Sequence, residues 1–253
     1  SPRQEIQGGF DLGGHAAGRE VRAPALAEAH LALAVVYGGT LNFARASGEY
    51  EQALALAPTD AEVLRQSGQF AALTGHFDAG IVSLRRAVTL DPLDRHTYGL
   101  LGHVLYAARR YGEAATAFAA GTSLNPDYEP FYGYRGLAFY GVRDLERARN
   151  SCETKRNYWG NQLCLALVYE KLGRRADAEA ELKKVVALGD GAAYQYAQIY
   201  AQWGDRPKAL EWLDRAMRLR DPGLILLKTD PLMDPLRQEP RFQAVLRELK
   251  FPS

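Results

Sequence analysis

The stretch from Arg95 to Tyr128, RHTYGLLGHVLYAARRYGEAATAFAAGTSLNPDY, has the apolar spacing of two helices joined by a short turn. In its first half, Tyr98, Leu101 and Leu105 stand at positions i, i+3 and i+7. Residues at this spacing share one face of an α-helix. The first half therefore predicts an amphipathic helix whose apolar face needs a packing partner.

The second half predicts a helix that packs back on the first. Ala114 and Phe118 are four residues apart and so lie on one face. Gly102 and Ala114 are predicted at the crossing of the two helices, because interaxial distances of about 8–10 Å leave little room there for a large side chain. Asn125-Pro126 ends the second helix, since the residue before a proline is pushed out of the α region. One such hairpin leaves apolar surface uncovered and needs a copy of itself on each side.

Copies of this pattern run through most of the chain. Three steps of 34 residues and two of 30 and 31 separate unit starts at Ala27, Ala61, Arg95, Glu129, Trp159 and Asp190. The small residue of the first helix recurs as Ala34, Gly68, Gly102, Gly136, Ala166 and Ala197. The small residue of the second helix recurs as Ala46, Gly80, Ala114, Ala148, Ala178 and Ala209. The residue four positions later reads Tyr50, Leu84, Phe118, Cys152, Leu182 and Leu213.

The repeated pattern resembles the tetratricopeptide repeat (TPR), with Tyr98 in place of its tryptophan and Leu105 in place of its tyrosine. The resemblance covers about three quarters of the chain. It implies an all-α fold, a right-handed superhelix of about six helix-turn-helix repeats with a C-terminal helical cap. We expect the array to span 27–220, preceded by an irregular segment or degenerate repeat end at 1–26 and followed by a capping segment at 221–253.

The two ends of the chain depart from the repeat. Residues 1–26 are glycine-rich and predict a loop or the end of an upstream repeat, with the first helix running from Ala27 to about Gly38. The start at Ser1, without Met, indicates a processed or excised piece. After Arg220 come Asp-Pro pairs, each suited to begin a helical turn. We expect a short helix around 223–227, then two tight turns, and a last helix near 241–250 that covers unit six.

The C-terminal run from Arg220 onward resembles the end of TPR regions in bacterial multidomain signalling proteins. These include adenylate cyclases, serine/threonine kinases and winged-helix regulators. The resemblance implies an interaction or sensing arm of a larger signalling protein. No catalytic or DNA-binding domain of those proteins is visible in the sequence, so their activities are not implied.

Composition excludes several function classes. The formal net charge is +1, so the overall charge gives no reason to expect nucleic-acid binding. No apolar run reaches the roughly 18 residues of a membrane helix, and no signal peptide is visible. We therefore predict a cytoplasmic protein that binds neither nucleic acid nor membrane. Cys152 is interpreted as a small buried hydrophobe; a disulfide with Cys164 is possible but not needed.

The sequence predicts no enzyme, no cofactor and no metal site. It contains none of the phosphate-binding, nucleophile-elbow or zinc-protease motifs. His96 and His103 are seven residues apart on one helix face, without a carboxylate on that face to complete a metal site.

The concave surface remains as the candidate binding site. In a TPR hairpin the first helix lines this surface, and the candidate groove residues are Glu62, Arg65, Gln69, His96, His103, Tyr106, Tyr134, Tyr140, Tyr194 and Gln198. Tyr and His combine an apolar body with a polar tip, which suits a peptide or a partner helix. The tyrosines could instead simply pack on neighbouring units, and the alternative function is a small-molecule sensor using the same groove. The Lys/Asn clamp that grips chaperone C-termini is absent, so we expect no binding of such tails.

Overall fold

The computed structural model describes residues 13–40, 42–187 and 189–251, and within them it is all-helical, without strands. The first six α-helices are α1 (Gly13–Gly39), α2 (Phe43–Leu56), α3 (Ala61–Leu73), α4 (Phe77–Leu90), α5 (Arg95–Ala107) and α6 (Tyr111–Leu124). The remaining helices of the array are α7 (Pro130–Gly141), α8 (Leu145–Glu153), α9 (Trp159–Lys171), α10 (Arg175–Val186), α11 (Ala193–Gln202) and α12 (Arg206–Leu219). A 3₁₀ helix (Gly189–Ala192) precedes α11.

The helices pack in chain order as a solenoid. Each odd-numbered helix from α1 to α11 forms a hairpin with the next helix, and those from α1 to α9 also pack on the first helix of the following unit. This is the adjacent-unit packing that the sequence predicts. The first helices therefore lie side by side and form the inner layer, while the second helices form the outer layer.

The register of the six units is the one read from the sequence. All eighteen positions aligned above, the two small residues and the bulky residue of each unit, are buried. Where both small residues are glycine, the backbones touch: a Cβ built on Gly80 would lie 2.6 Å from the carbonyl oxygen of Gly68. In unit three the small residue faces a ring, because a Cβ on Gly102 would lie 2.7 Å from Phe118.

The turn inside each of units two to six contains one residue in the left-handed region. In units two to six this residue is Gly75, Arg109, Arg143, Gly173 and Gly204, with φ between 62° and 98°. These residues are separated by the same steps as the starts of their units. A side chain other than glycine is strained at such a φ by about 1–2 kcal/mol, so the arginines of units three and four stand at strained positions.

The N-terminal prediction is wrong over residues 13–26. Helix α1 begins at Gly13, fourteen residues before the predicted start, and continues unbroken to Gly39. The glycine-rich composition predicted a loop, but the glycines of this region lie within the first turns of a long helix. The predictions for residues 1–12 fall outside the described part of the chain.

The joint between units four and five is covalently linked, which corrects the interpretation of the cysteines. Cys152 of α8 is buried as predicted, but it forms a disulfide with Cys164 of α9. The sulfurs occupy the helix crossing, since a Cβ on Gly136 would lie 2.0 Å from Cys152 Sγ. Beside them, Arg156 donates to the buried carboxylate of Glu181 at 2.6 Å.

The C-terminal segment (221–251) covers unit six as predicted. It consists of two 3₁₀ helices (Pro222–Leu226 and Pro231–Leu236) and α13 (Pro240–Leu249). Asp221 and Asp230 cap the two 3₁₀ helices, accepting from the backbone N–H two residues later. Phe242 of α13 is fully buried in the same core as Leu213 of unit six.

Gly102→Leu is expected to destabilise the fold by about 1–3 kcal/mol, because the added side chain overpacks the helix crossing against Phe118. Urea unfolding measures the change. Gly112→Leu is the matched control, since a Cβ at Gly112 meets nothing within 4 Å. Equal stability of the two variants would show that the crossing does not lie at Gly102.

Candidate functional site

A cavity of about 290 Å³ lies in the middle of the inner layer. It is lined by side chains from α3, α5, α7, α9 and α11 and from the C-terminal segment. Six of the ten predicted groove residues border it: Gln69, His103, Tyr106, Tyr134, Tyr194 and Gln198. The structure therefore brings together residues from four different repeats.

The C-terminal segment crosses the inner layer at this cavity, which the sequence did not predict. Asp230 is buried and lies at the centre of the contact. Its Oδ2 accepts from Tyr194 Oη at 2.8 Å and from Gln198 Nε2 at 2.6 Å, and its Oδ1 accepts from the N–H of Leu232. Two predicted groove residues are thus already engaged by the chain itself.

Two groups at the turns of units two and three, the backbone carbonyl of Thr74 and the side chain of Arg109, also bind this segment. Lys228 Nζ donates to the carbonyl oxygen of Thr74 at 2.9 Å. Arg109 donates to both carboxylate oxygens of Asp234, at 2.6 and 3.3 Å. A bidentate pair of this kind fixes orientation as well as distance. Arg109, at a position where three other units have glycine, therefore provides the side chain that binds Asp234.

The end of the segment reaches unit one. Phe251 stacks on Phe43 of α2, with ring centroids 5.1 Å apart, and Phe251 also packs against the core of unit six. The superhelix curves so far that its first and last units meet through this segment. The concave surface is consequently closed along one edge.

Polar groups in the cavity lack partners inside the described part of the protein. The Oε1 atom of Gln195 is buried and accepts no hydrogen bond. No described residue hydrogen-bonds to the imidazole of His103, the hydroxyls of Tyr106 and Tyr134, or the amide of Gln69. A typical buried polar group is hydrogen-bonded, so these groups are available to something that enters the cavity.

The cavity is electrically neutral around these groups. Burial lowers the pKa of His103 to about 4, so that its imidazole is uncharged near neutral pH. Its ring contacts that of Tyr134 edge-on, with centroids 3.9 Å apart. Burial raises the pKa of Tyr134 as well, and burial raises the pKa of Asp230. The surroundings disfavour charge on every titratable group at the site.

The other four predicted groove residues lie elsewhere. Tyr140 borders a second cleft on the far side of Leu232, where its hydroxyl donates to Gln202 at 3.2 Å. Glu62 and Arg65 pair with each other on α3, and His96 is exposed at the start of α5. None of these four lines the cavity.

An aromatic rim borders the concave surface at the starts of the first helices. We define the rim as His96, Tyr128, Tyr158 and Trp159, of which His96 is exposed and the others are half-buried. His96 and Tyr128 meet edge-on, and Tyr158 packs on Trp159. Sequence reasoning missed this rim because three of its residues lie before or at helix starts rather than at the spacing used to select the groove.

The part of the chain that the structure describes contains no cluster of three or more metal-ligating side chains. In the same residues, no helix combines the length and apolar character that a membrane crossing requires.

The buried histidine predicts a pH dependence of stability. The pKa of His103 is about 4 in the folded protein and about 6.5 when unfolded. Between these values the unfolded chain binds the proton more readily, so stability is present above pH 6.5 and is lost as the pH falls toward 4. The loss amounts to about 2–3 kcal/mol.

Urea unfolding of wild type and His103→Gln between pH 4 and 7 measures this loss. The difference between the two proteins cancels contributions from other groups, including Asp230 and the tyrosines. The variant should lose less stability on acidification. Parallel curves for the two proteins would show that His103 is not held neutral by the fold.

Comparison with known proteins agrees with this architecture. The family model for the tetratricopeptide repeat matches residues 31–95 and 100–161, half of the chain. No curated protein matches the sequence significantly. Among solved structures, one titled as a functional characterisation of Pseudomonas aeruginosa PilF is 18% identical over 83% of this chain and 97% of its own, with a TM-score of 0.57.

Two MamA structures are also similar. A crystal structure of MamA is 22% identical over 66% of this chain and 94% of its own, with a TM-score of 0.53. MamA from Desulfovibrio magneticus RS-1 is 18% identical over 64% of this chain and 94% of its own, with a TM-score of 0.55. At these identities the likeness shows the fold alone. The match of the family model over half of the chain shows the family: this protein is a member of the tetratricopeptide repeat family.

Proposed function

We propose that the protein is a non-enzymatic scaffold that binds an extended peptide or a helix of a partner protein on its concave side. TPR repeats suggest such a role in general. The finer proposal is that the partner lies along the aromatic rim, across the mouth of the cavity. The resemblance of the C-terminal run to bacterial multidomain proteins supports an interaction arm within a larger signalling protein.

The observation that carries the proposal is the way the concave side already binds polypeptide. Gln202 Nε2 donates to the backbone carbonyl of Leu232 at 2.7 Å, and Tyr194 and Gln198 bind the carboxylate of Asp230. Three side chains of α11 therefore hold the C-terminal segment by its backbone and one acidic group. The same mode of recognition is available to a partner peptide.

The part of the concave side that the C-terminal segment leaves open has suitable chemistry. The rim presents half-exposed aromatic rings, which supply large contact area at interfaces. Arg95 lies over the ring of Tyr128 at 5.0 Å, and Glu62 pairs with Arg65 nearby on α3. Charges of both signs flank the rings, so the rim does not select for a strongly acidic or basic partner.

Random linear peptides displayed on phage and selected on the intact protein test this proposal. The best peptide should lose at least about tenfold in affinity on His96→Ala and on Tyr158→Ala, because rim residues act as interface anchors. Calorimetric titration measures the affinity.

Arg86→Ala is the control, since Arg86 is exposed on α4 in the outer layer. Peptides that respond to Arg86→Ala but to neither rim substitution would contradict the proposal. A selection that yields no binding peptide would contradict it equally.

A further inference from the structure

We propose that the cavity beneath the C-terminal segment is a binding site for a small uncharged molecule that contains a ring and both hydrogen-bond donors and acceptors. This proposal goes beyond the scaffold function, because a partner peptide on the rim would lie across the mouth of the cavity, whereas the small molecule would lie inside it. Trp159 belongs to both the rim and the cavity lining. Four properties of the cavity, its size, its polar groups, its charge and its rings, lead to this class of ligand.

The size of the cavity limits the occupant to a small molecule. Its 290 Å³ lies at the lower end of the range for ligand pockets, roughly 300–1,000 Å³. Leu226, Thr229 and Pro231 of the C-terminal segment form part of its wall. A peptide chain running through the inner layer would have to displace this segment.

The polar groups of the cavity supply both donors and acceptors. Gln195 Oε1 is an acceptor, buried and without a partner, and an unsatisfied buried group of this kind is destabilising. Neutral His103 offers one donor and one acceptor, and the hydroxyls of Tyr106 and Tyr134 offer both. None of these three side chains has a hydrogen-bonding partner among the described residues. A ligand with complementary groups would satisfy them.

The charge of the cavity favours an uncharged ligand. No Lys, Arg or Glu lines it, and the sole acid in the lining of the described structure is Asp230. Its two oxygens already accept from Tyr194, Gln198 and Leu232. An anion would find no counter-ion, and a cation would find a carboxylate that is already fully engaged, so transfer of either from water is unfavourable.

The rings of the cavity favour an aromatic or similarly flat body. His103, Tyr106, Tyr134 and Trp159 all border the space. Aromatic side chains pack preferentially in offset or edge-to-face arrangements, with centroids about 4.5–7 Å apart. Leu100, Leu137 and Leu163 complete an apolar lining that would remove such a body from water.

Three probes of the same size test the class of ligand. They are 4-hydroxybenzamide, which is uncharged, 4-hydroxybenzoate, which is anionic, and tyramine, which is cationic. Saturation-transfer NMR and calorimetric titration on the intact protein should show binding of the amide at least tenfold tighter than that of either charged probe. Tighter binding of a charged probe, or no binding of the amide at millimolar concentration, would overturn the proposal.

Two leucine substitutions locate the bound probe. Leu100→Trp places a larger side chain in the cavity and should weaken binding of the amide at least tenfold. Leu93→Trp is the matched control, because Leu93 is 77% exposed in the loop before α5; it should leave binding unchanged. Equal affinities of the two variants would show that the probe binds elsewhere.

Gln195→Leu separates a ligand-binding role from a structural one. The substitution removes an unsatisfied polar atom, so the melting temperature should stay the same or rise while the affinity for 4-hydroxybenzamide falls. A lower melting temperature with unchanged affinity would overturn the role of Gln195. No peptide enters these experiments, so their failure and that of the scaffold proposal are separate.

Discussion

The structure depends on the close crossing of two helices in every repeat. A helical hairpin of this size leaves apolar surface uncovered, and it becomes stable by stacking on neighbours. Close stacking requires a small residue at each crossing, and all six units provide one on each helix. At Gly68 and Gly80 the two backbones are in direct contact. At Gly136 the space is filled by the sulfurs of the disulfide. The curvature of the solenoid, and hence the concave side, follows from this repeated contact.

The C-terminal segment changes what the concave side can bind. A TPR array alone would present an open groove, in which the predicted residues would all face solvent. Here the segment uses Tyr194 and Gln198 for its own attachment and leaves His103, Tyr106 and Tyr134 around a partly covered cavity. One surface is thereby divided into a rim, open to large partners, and a cavity, accessible to small ones. The division rests on Asp230, since its carboxylate joins the segment to α11.

The fold was predictable because its determinants are local and repeated. The helix bounds, the small residues and the Asp caps follow from spacing within about ten residues, and six copies of the pattern reinforce one another. The site was predictable in part: six of ten groove residues border one cavity because all six lie on first helices, which form the inner layer. Other contacts join residues far apart in sequence, such as Lys228 with Thr74 and Phe251 with Phe43. No pattern in the sequence predicts these contacts.

The individual errors have the same physical origin. The disulfide requires α8 and α9 to bring their cysteines close together. The spacing of the two cysteines in the sequence does not reveal that distance. The helical state of residues 13–26 overrides the low helix propensity of glycine. Arg109 stands in a left-handed turn and its side chain binds Asp234. The spacing of the repeat does not predict this contact, because Asp234 lies 125 residues away.

The attachment of the last residues to unit one has a mechanical consequence. A solenoid whose ends are not attached to each other can bend and twist, because small rotations at each interface between units add up along its length. Here the contact of Phe251 with Phe43 joins the C-terminal segment to unit one, and the pair of Arg109 with Asp234 joins it to unit three. A rotation at any one interface must then be compensated by the others or break the attachment. The solenoid is therefore expected to be stiffer while these contacts hold than after they break.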